Sequence, residues 1–185
     1  MSTNTIPETH LTDIESYVMA SDIPIINVRR GGRQDQSTIL TYADGTEWVF
    51  LSNKEKERFC GFLYMQNAIK EAGLAKVKAA QNKMAIIEDE QHGRKIIYLS
   101  QYCGEKKPEI FDYTKEFSGL QTDVGFTDTV ANLREIEGEV YVFDTEKSSF
   151  AKGVHSKIDA FVKTHEALRS ALEEKLKDPS PHRDE

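Results

Sequence analysis

Thr38-Ile39-Leu40-Thr41-Tyr42-Ala43-Asp44-Gly45-Thr46-Glu47-Trp48-Val49-Phe50-Leu51 places two β-rich runs on either side of an Asp-Gly pair. β-Branched and aromatic side chains suit a pleated, half-buried surface, and Asp-Gly accepts the positive φ of a tight reversal, so this stretch predicts a β-hairpin. Working upstream, Ile23, Ile25, Ile26 and Val28 predict another strand, which stops at Arg29-Arg30-Gly31-Gly32. Together they make a three-stranded antiparallel meander.

Downstream, Ser52-x-x-Glu55 has the form of a capping box, in which a hydroxyl and a carboxylate satisfy free N–H groups at a helix start. Phe59, Phe62, Leu63, Gln66 and Ile69 then recur on one helical face, and Gly73 marks the end. Residues 83–88 and 94–100 read as two more strands around a polar turn at Gly93. Five strands and one helix would form a small one-sided sheet, which sets the fold class as α+β.

The flanks are expected to add helices. Leu11, Ile14, Tyr17 and Val18 have helical spacing, predicting a short amphipathic helix over residues 11–20. A short helix is expected over 109–117, and residues 133–136 and 139–143 predict a second short hairpin about Glu137-Gly138. From Val154, the residues Ile158, Phe161, Val162, His165, Leu168 and Leu172 predict one long C-terminal helix of about six turns. Pro179 and Pro181 interrupt a polar end, so the expected organisation is one domain over 1–177 and a flexible tail over 178–185.

Composition narrows the function classes. The chain has 185 residues, 38% hydrophobic and 30% charged, the balance of a globular chain able to bury a core. A net charge of −7 argues against a general phosphate-backbone binder, because such binding needs clustered Lys and Arg. Apolar runs fall short of the roughly 20 residues that span a bilayer, and the N-terminal stretch lacks signal-peptide order. The expectation is a cytoplasmic protein without nucleic-acid or membrane partners, with secretion into a host and the oligomeric state left open. Cys60 and Cys103 are far apart with no CxxC, and read as reduced, structural thiols.

The residues with chemical promise lie at the second hairpin. Asp128 and Asn132 precede it and Asp144 follows it, so the hairpin could bring the three side chains to one end. Hard oxygen ligands of this kind suit Mg²⁺, and a nearby carboxylate suits an acceptor hydroxyl. Turn capping alone is the competing reading, since Asp, Asn and Gly are ordinary turn residues.

The order of elements, with Asp128-x-x-x-Asn132 and an aspartate ending a hairpin strand, resembles the protein-kinase-like superfamily. The resemblance covers about residues 23–146 and implies a glycine turn over nucleotide phosphates at Gly31 and Gly32. It implies a hydroxyl-orienting role for Asp128, metal binding by Asn132 and Asp144, and ATP with Mg as cofactors. It also implies a helix glutamate, for which Glu55 and Glu57 are the candidates.

The family usually places the asparagine one position further from the aspartate than Asn132 is from Asp128, and this sequence departs from the pattern in three further places. The phosphate-holding lysine of the third strand falls at Leu51, which cannot hold phosphate. Substitutes would have to come from Lys54, Lys56, Arg29, Arg30 or Arg33. Arg29-Arg30-Gly31-Gly32-Arg33 lacks the usual glycine spacing, and no peptide-substrate platform follows Asp144. The expected function is therefore a degenerate, pseudokinase-type domain that binds a nucleotide or a protein. Two alternatives stand beside it: an active atypical phosphotransferase using Asp128, Asn132 and Asp144, and an unrelated α+β interaction module.

Overall fold

A computed structural model describes residues 17–19, 23–31, 37–89, 93–128 and 130–177. In chain order the elements are β1 (Val18–Met19), β2 (Ile25–Gly31), β3 (Ser37–Tyr42), β4 (Glu47–Leu51), α1 (Glu55–Ala72), β5 (Val77–Ala79), β6 (Asn82–Asp89) and β7 (Gly93–Gln101). There follow α2 (Thr114–Gly119), β8 (Leu133–Ile136), β9 (Glu139–Val142), α3 (His155–Asp159) and α4 (Val162–Lys177). The fold is α+β, with a six-stranded sheet in the order β1-β6-β7-β4-β3-β2 and a three-stranded sheet in the order β5-β9-β8.

The larger sheet is antiparallel except where β1 joins β6 in parallel. Register assigns its faces. Ile39 faces Val49 across β3–β4, Val49 faces Ser100 across β4–β7, and Leu51 faces Tyr98, which faces Met84 in turn. Cross-strand partners share a face, so these residues line one side of the sheet. Toward β6 and β7 that side is covered by α1 and α4, with Phe59, Phe62, Met84, Tyr98 and Leu168 in one core cluster.

The opposite face carries Leu40, Tyr42, Trp48, Ala85, Ile97 and Leu99, all buried with Met19. This corrects the expected one-sided sheet: both faces bury apolar side chains. The alternation in Ile96-Ile97-Tyr98-Leu99 already placed large side chains on both faces, so covering only one would have left Ile97 and Leu99 in water.

Several boundaries also differ. Val18 and Met19 lie in a strand rather than a helix, because β6 offers an open edge for main-chain hydrogen bonds; the rest of the expected helix over 11–20 and the tail over 178–185 fall outside the described residues. The Asp-Gly turn is a four-residue loop rather than a two-residue one, with Gly45 at φ 88° and Asp44 Oδ1 accepting from the Thr46 N–H at 3.0 Å. The capping box does not form. Lys54 takes the left-handed conformation at the N-terminus of α1 and no side chain caps it, so Ser52 stands two positions too early. Gly73 ends α1 as expected, at φ 68° with its N–H on the carbonyls of Ile69 and Lys70.

The helix expected over 109–117 is a 3₁₀ turn at Ile110–Asp112 followed by α2 and a wide turn at Leu120–Val124. The C-terminal helix is broken at Ala160–Phe161, where the Phe161 N–H reaches only three residues back, to Ile158 O at 3.0 Å. The second hairpin forms as expected, with Glu137 at φ 48° and Gly138 at φ 81° in its turn. The three residues of β5, too few to register by periodicity, join it in parallel along β9. Among the described residues, no helix is long and apolar enough to cross a membrane.

Candidate functional site

Beyond the edge of α1, the inner face of the large sheet opens into a cleft of about 460 Å³. Its floor is Ile39, Val49 and Leu51, one wall is the segment 101–105 that leaves β7, and the far end holds Arg58, Arg134, Phe143 and Asp144. The apolar floor follows from strand alternation. The polar end is produced by the junction of α1 with the chain after β9.

That junction is unusually close. A Cβ on Gly61 would stand 1.8 Å from the Thr145 carbonyl oxygen, so only glycine lets the backbone after β9 lie against α1. Three hydrogen bonds fasten the contact. The Thr145 hydroxyl donates to Arg58 O at 2.8 Å, the Lys147 N–H donates to Glu57 Oε2 at 2.9 Å, and the Arg58 guanidinium donates to Asp144 Oδ1 at 2.8 Å. Arg58 also donates to Glu146 Oε2 at 3.0 Å, bridging two carboxylates. Lys54 lies 3.7 Å from the same Glu146 oxygen. Burial pushes the Asp144 carboxyl above the usual carboxylate range; Arg58 opposes this, while Glu146 and Asp128 add to it.

Asp128, Asn132 and Asp144 are brought to the same end of the hairpin, as their spacing suggested. Phe143 N–H donates to Asn132 O at 3.3 Å, which ties the end of β9 to the start of β8. Asn132 donates its amide to Asp128 Oδ2, Ser149 donates to the same oxygen at 2.9 Å, and Asp144 is held by Arg58. Arg58 thus already supplies a positive charge at Asp144, while the Asn132 side-chain carbonyl oxygen, the atom a hard cation would take, is not the one bonded to Asp128. Among the described residues no three His, Cys, Asp or Glu side chains are grouped to share an ion.

Of the glycine turn, Gly31 ends β2 opposite Ser37, and Gly32 and Arg33 lie outside the described residues. A Cβ at Gly31 would meet Ile39 Cδ1 at 2.4 Å, so the glycine serves packing against β3. The suggested lysine substitutes are engaged elsewhere: Lys56 with Glu166 at 3.4 Å, and Arg29 with Glu47 at 3.0 Å and over the Tyr102 ring. Arg30 donates to the Thr38 hydroxyl at 3.3 Å. Leu51 lines the cleft floor, and Glu57 holds a backbone N–H.

Two site residues were not legible in the sequence. Arg58 is an ordinary charged residue beside the apolar stripe of α1, and its partners are 86 and 88 residues away. Ser100 ends a strand pattern with nothing to mark it, yet it is 5% exposed, lines the cleft, and its hydroxyl has no hydrogen-bond partner. An orphaned buried hydroxyl costs about 1–3 kcal/mol, which a bound group could recover. The thiols of Cys60 and Cys103 are free and buried, and burial pushes both up to about 12, so neither is a nucleophile near neutral pH.

No model of a known protein family matches the chain, and no curated protein sequence matches it significantly.

Proposed function

We propose that this chain is a kinase-like domain that works by binding a nucleotide-type ligand in the cleft rather than by transferring phosphate. The observation that carries the reading is the cleft itself. Its apolar floor (Ile39, Val49, Leu51), its wall at 101–105 and its end at Asp144 lie where the resemblance to the kinase-like superfamily implies a nucleotide site. Support also comes from the element order in the large sheet: three meander strands, α1, and then, after the short β5 of the other sheet, a strand pair whose second member, β7, docks on β4. Against phosphoryl transfer stand Leu51 in place of a lysine, and an Arg58 already committed to Asp144 and Glu146.

The volume suits a flat heteroaromatic ring, and the Ser100 hydroxyl supplies a polar contact that fixes orientation. Thermal unfolding with adenosine, ADP and ATP tests this. At about a hundredfold excess over Kd a bound ligand raises Tm by about 6 °C, and Val49→Phe, which narrows the floor, abolishes the rise. No shift with any of the three at millimolar concentration overturns the reading.

A second reading, protein binding, is favoured by one observation: Ile26 and Val28 on the edge strand β2 are 64% and 60% exposed, and Phe111 is 93% exposed. An open strand edge can pair with another chain. The simplest such partner is a second copy, and sedimentation velocity of the wild type against Val28→Lys tests it.

A further inference from the structure

We infer that Arg58 is a built-in counter-cation that stands in place of a divalent metal at the acidic end of the cleft, so that ligand binding there is metal-independent. The inference deepens the proposed reading of the cleft and rests on it for its meaning, although the arginine's role is testable without any ligand.

Asp144 and Glu146 are carboxylates two residues apart on an irregular segment, both largely withdrawn from water, with side chains 25% and 18% exposed. Two such charges repel each other, and burial favours neutralising one of them. The fold answers this with a cation. One guanidinium, itself 19% exposed, reaches Asp144 Oδ1 through one terminal nitrogen at 2.8 Å and Glu146 Oε2 through the other at 3.0 Å. Two oxygens from different carboxylates on one positive centre is the work a bound metal ion would do, carried out by a planar fork instead.

The surroundings fix Arg58 in that position. Its own carbonyl accepts from Thr145, and the close approach at Gly61 holds α1 against the 144–147 backbone. Asn132, the other residue expected at a metal, donates its amide N–H to Asp128. The departures from the kinase pattern thus belong together. With no lysine at position 51 and no metal required, there is nothing to hold a metal-bound triphosphate, and the cleft is left to recognise the ring and sugar.

Metal titration of the apo protein separates the alternatives. Wild type should show the same Tm in millimolar Mn²⁺ and in EDTA. Arg58→Gln, which removes the charge and shortens the side chain, should melt lower and regain about 4 °C in Mn²⁺, as a metal enters between the freed carboxylates. Arg58→Gln combined with Asp144→Asn should lose that gain, whereas Arg58→Lys should restore the metal indifference of wild type. A merely structural arginine would lower Tm without creating a metal response. If Arg58→Gln does not fold, the Mn²⁺ electron paramagnetic resonance signal of wild type decides alone. An unchanged free-ion signal supports the inference, and a bound ion that Asp144→Asn removes overturns it. A negative result with adenosine and nucleotides would sink the ligand reading while leaving these metal outcomes intact, so the two can fail separately.

Discussion

Tyr98 and Ser100 stand two residues apart on the same face of β7, and the fold treats their hydroxyls in opposite ways. The Tyr98 oxygen lies 2.7 Å from His165 Nε2 and accepts from Arg169 at 3.0 Å, under the cover of α4. The Ser100 oxygen has no partner and faces the cleft. One sheet therefore has a closed half, covered by α1 and α4, in which the Tyr98 hydroxyl is paired, and an open half beneath β3 and β4. Stability should concentrate in the first and ligand response in the second.

The sharpest way to break this contrast is to separate the halves at their seam. Gly61→Ala puts a methyl carbon against the Thr145 carbonyl, and with backbone on one side and a helix on the other neither gives way cheaply. A loss of about 3 kcal/mol or more is expected in urea unfolding, along with the cleft's ligand response, because Asp144 and Arg58 would part.

Acid should test the closed half. With Arg169 donating to the Tyr98 oxygen, the Tyr98 hydroxyl is left to donate to His165 Nε2, which demands a neutral imidazole. Burial, together with Lys56 and Arg169, depresses His165 to about 4. A histidine lowered in the folded state contributes stability that is full above its unfolded pKa near 6.5 and is lost as pH falls through about 4. Unfolding free energies from urea at pH 7 and pH 4.5 should differ by as much as roughly 3 kcal/mol, and His165→Phe should flatten that part of the profile.

Tyr98→Phe is the next smaller effect. It leaves the buried His165 nitrogen without its partner and removes one acceptor from Arg169, for an expected loss of about 2 kcal/mol. Ser100→Ala, on the same strand face, should cost nothing and can stabilise by a few tenths of a kcal/mol, since it deletes an unpaired hydroxyl. Its signature is instead a weaker ligand: about a fivefold rise in Kd by calorimetry for one neutral hydrogen bond. Equal stability losses for the two variants would abolish the contrast. Smallest of all, Val28→Lys on the exposed edge should move stability by less than about 0.5 kcal/mol and act only on self-association.

Legibility in the sequence followed the range of the interaction. The meander, α1 with its Gly73 stop and the Glu137-Gly138 hairpin were readable because each is set by neighbours within a few residues. Asp128, Asn132 and Asp144 could be grouped at one hairpin end for the same reason. The unread features involve long separations: the double-sided sheet, the parallel β5–β9 pairing, and Arg58 on partners 86 and 88 residues away. The capping box failed because a left-handed Lys54 takes the N-cap of α1, two positions after Ser52.

By itself, then, the sequence determined the α+β class, the meander with the helix after it, the two later hairpins, and which polar residues share the end of the second of them, because periodicity and turn chemistry act locally. Tertiary structure decided what those polar residues do. Whether Asp144 meets a metal or an arginine depends on how closely α1 approaches the chain after β9, and that distance is set by a glycine at position 61 whose importance shows only when the two backbones touch.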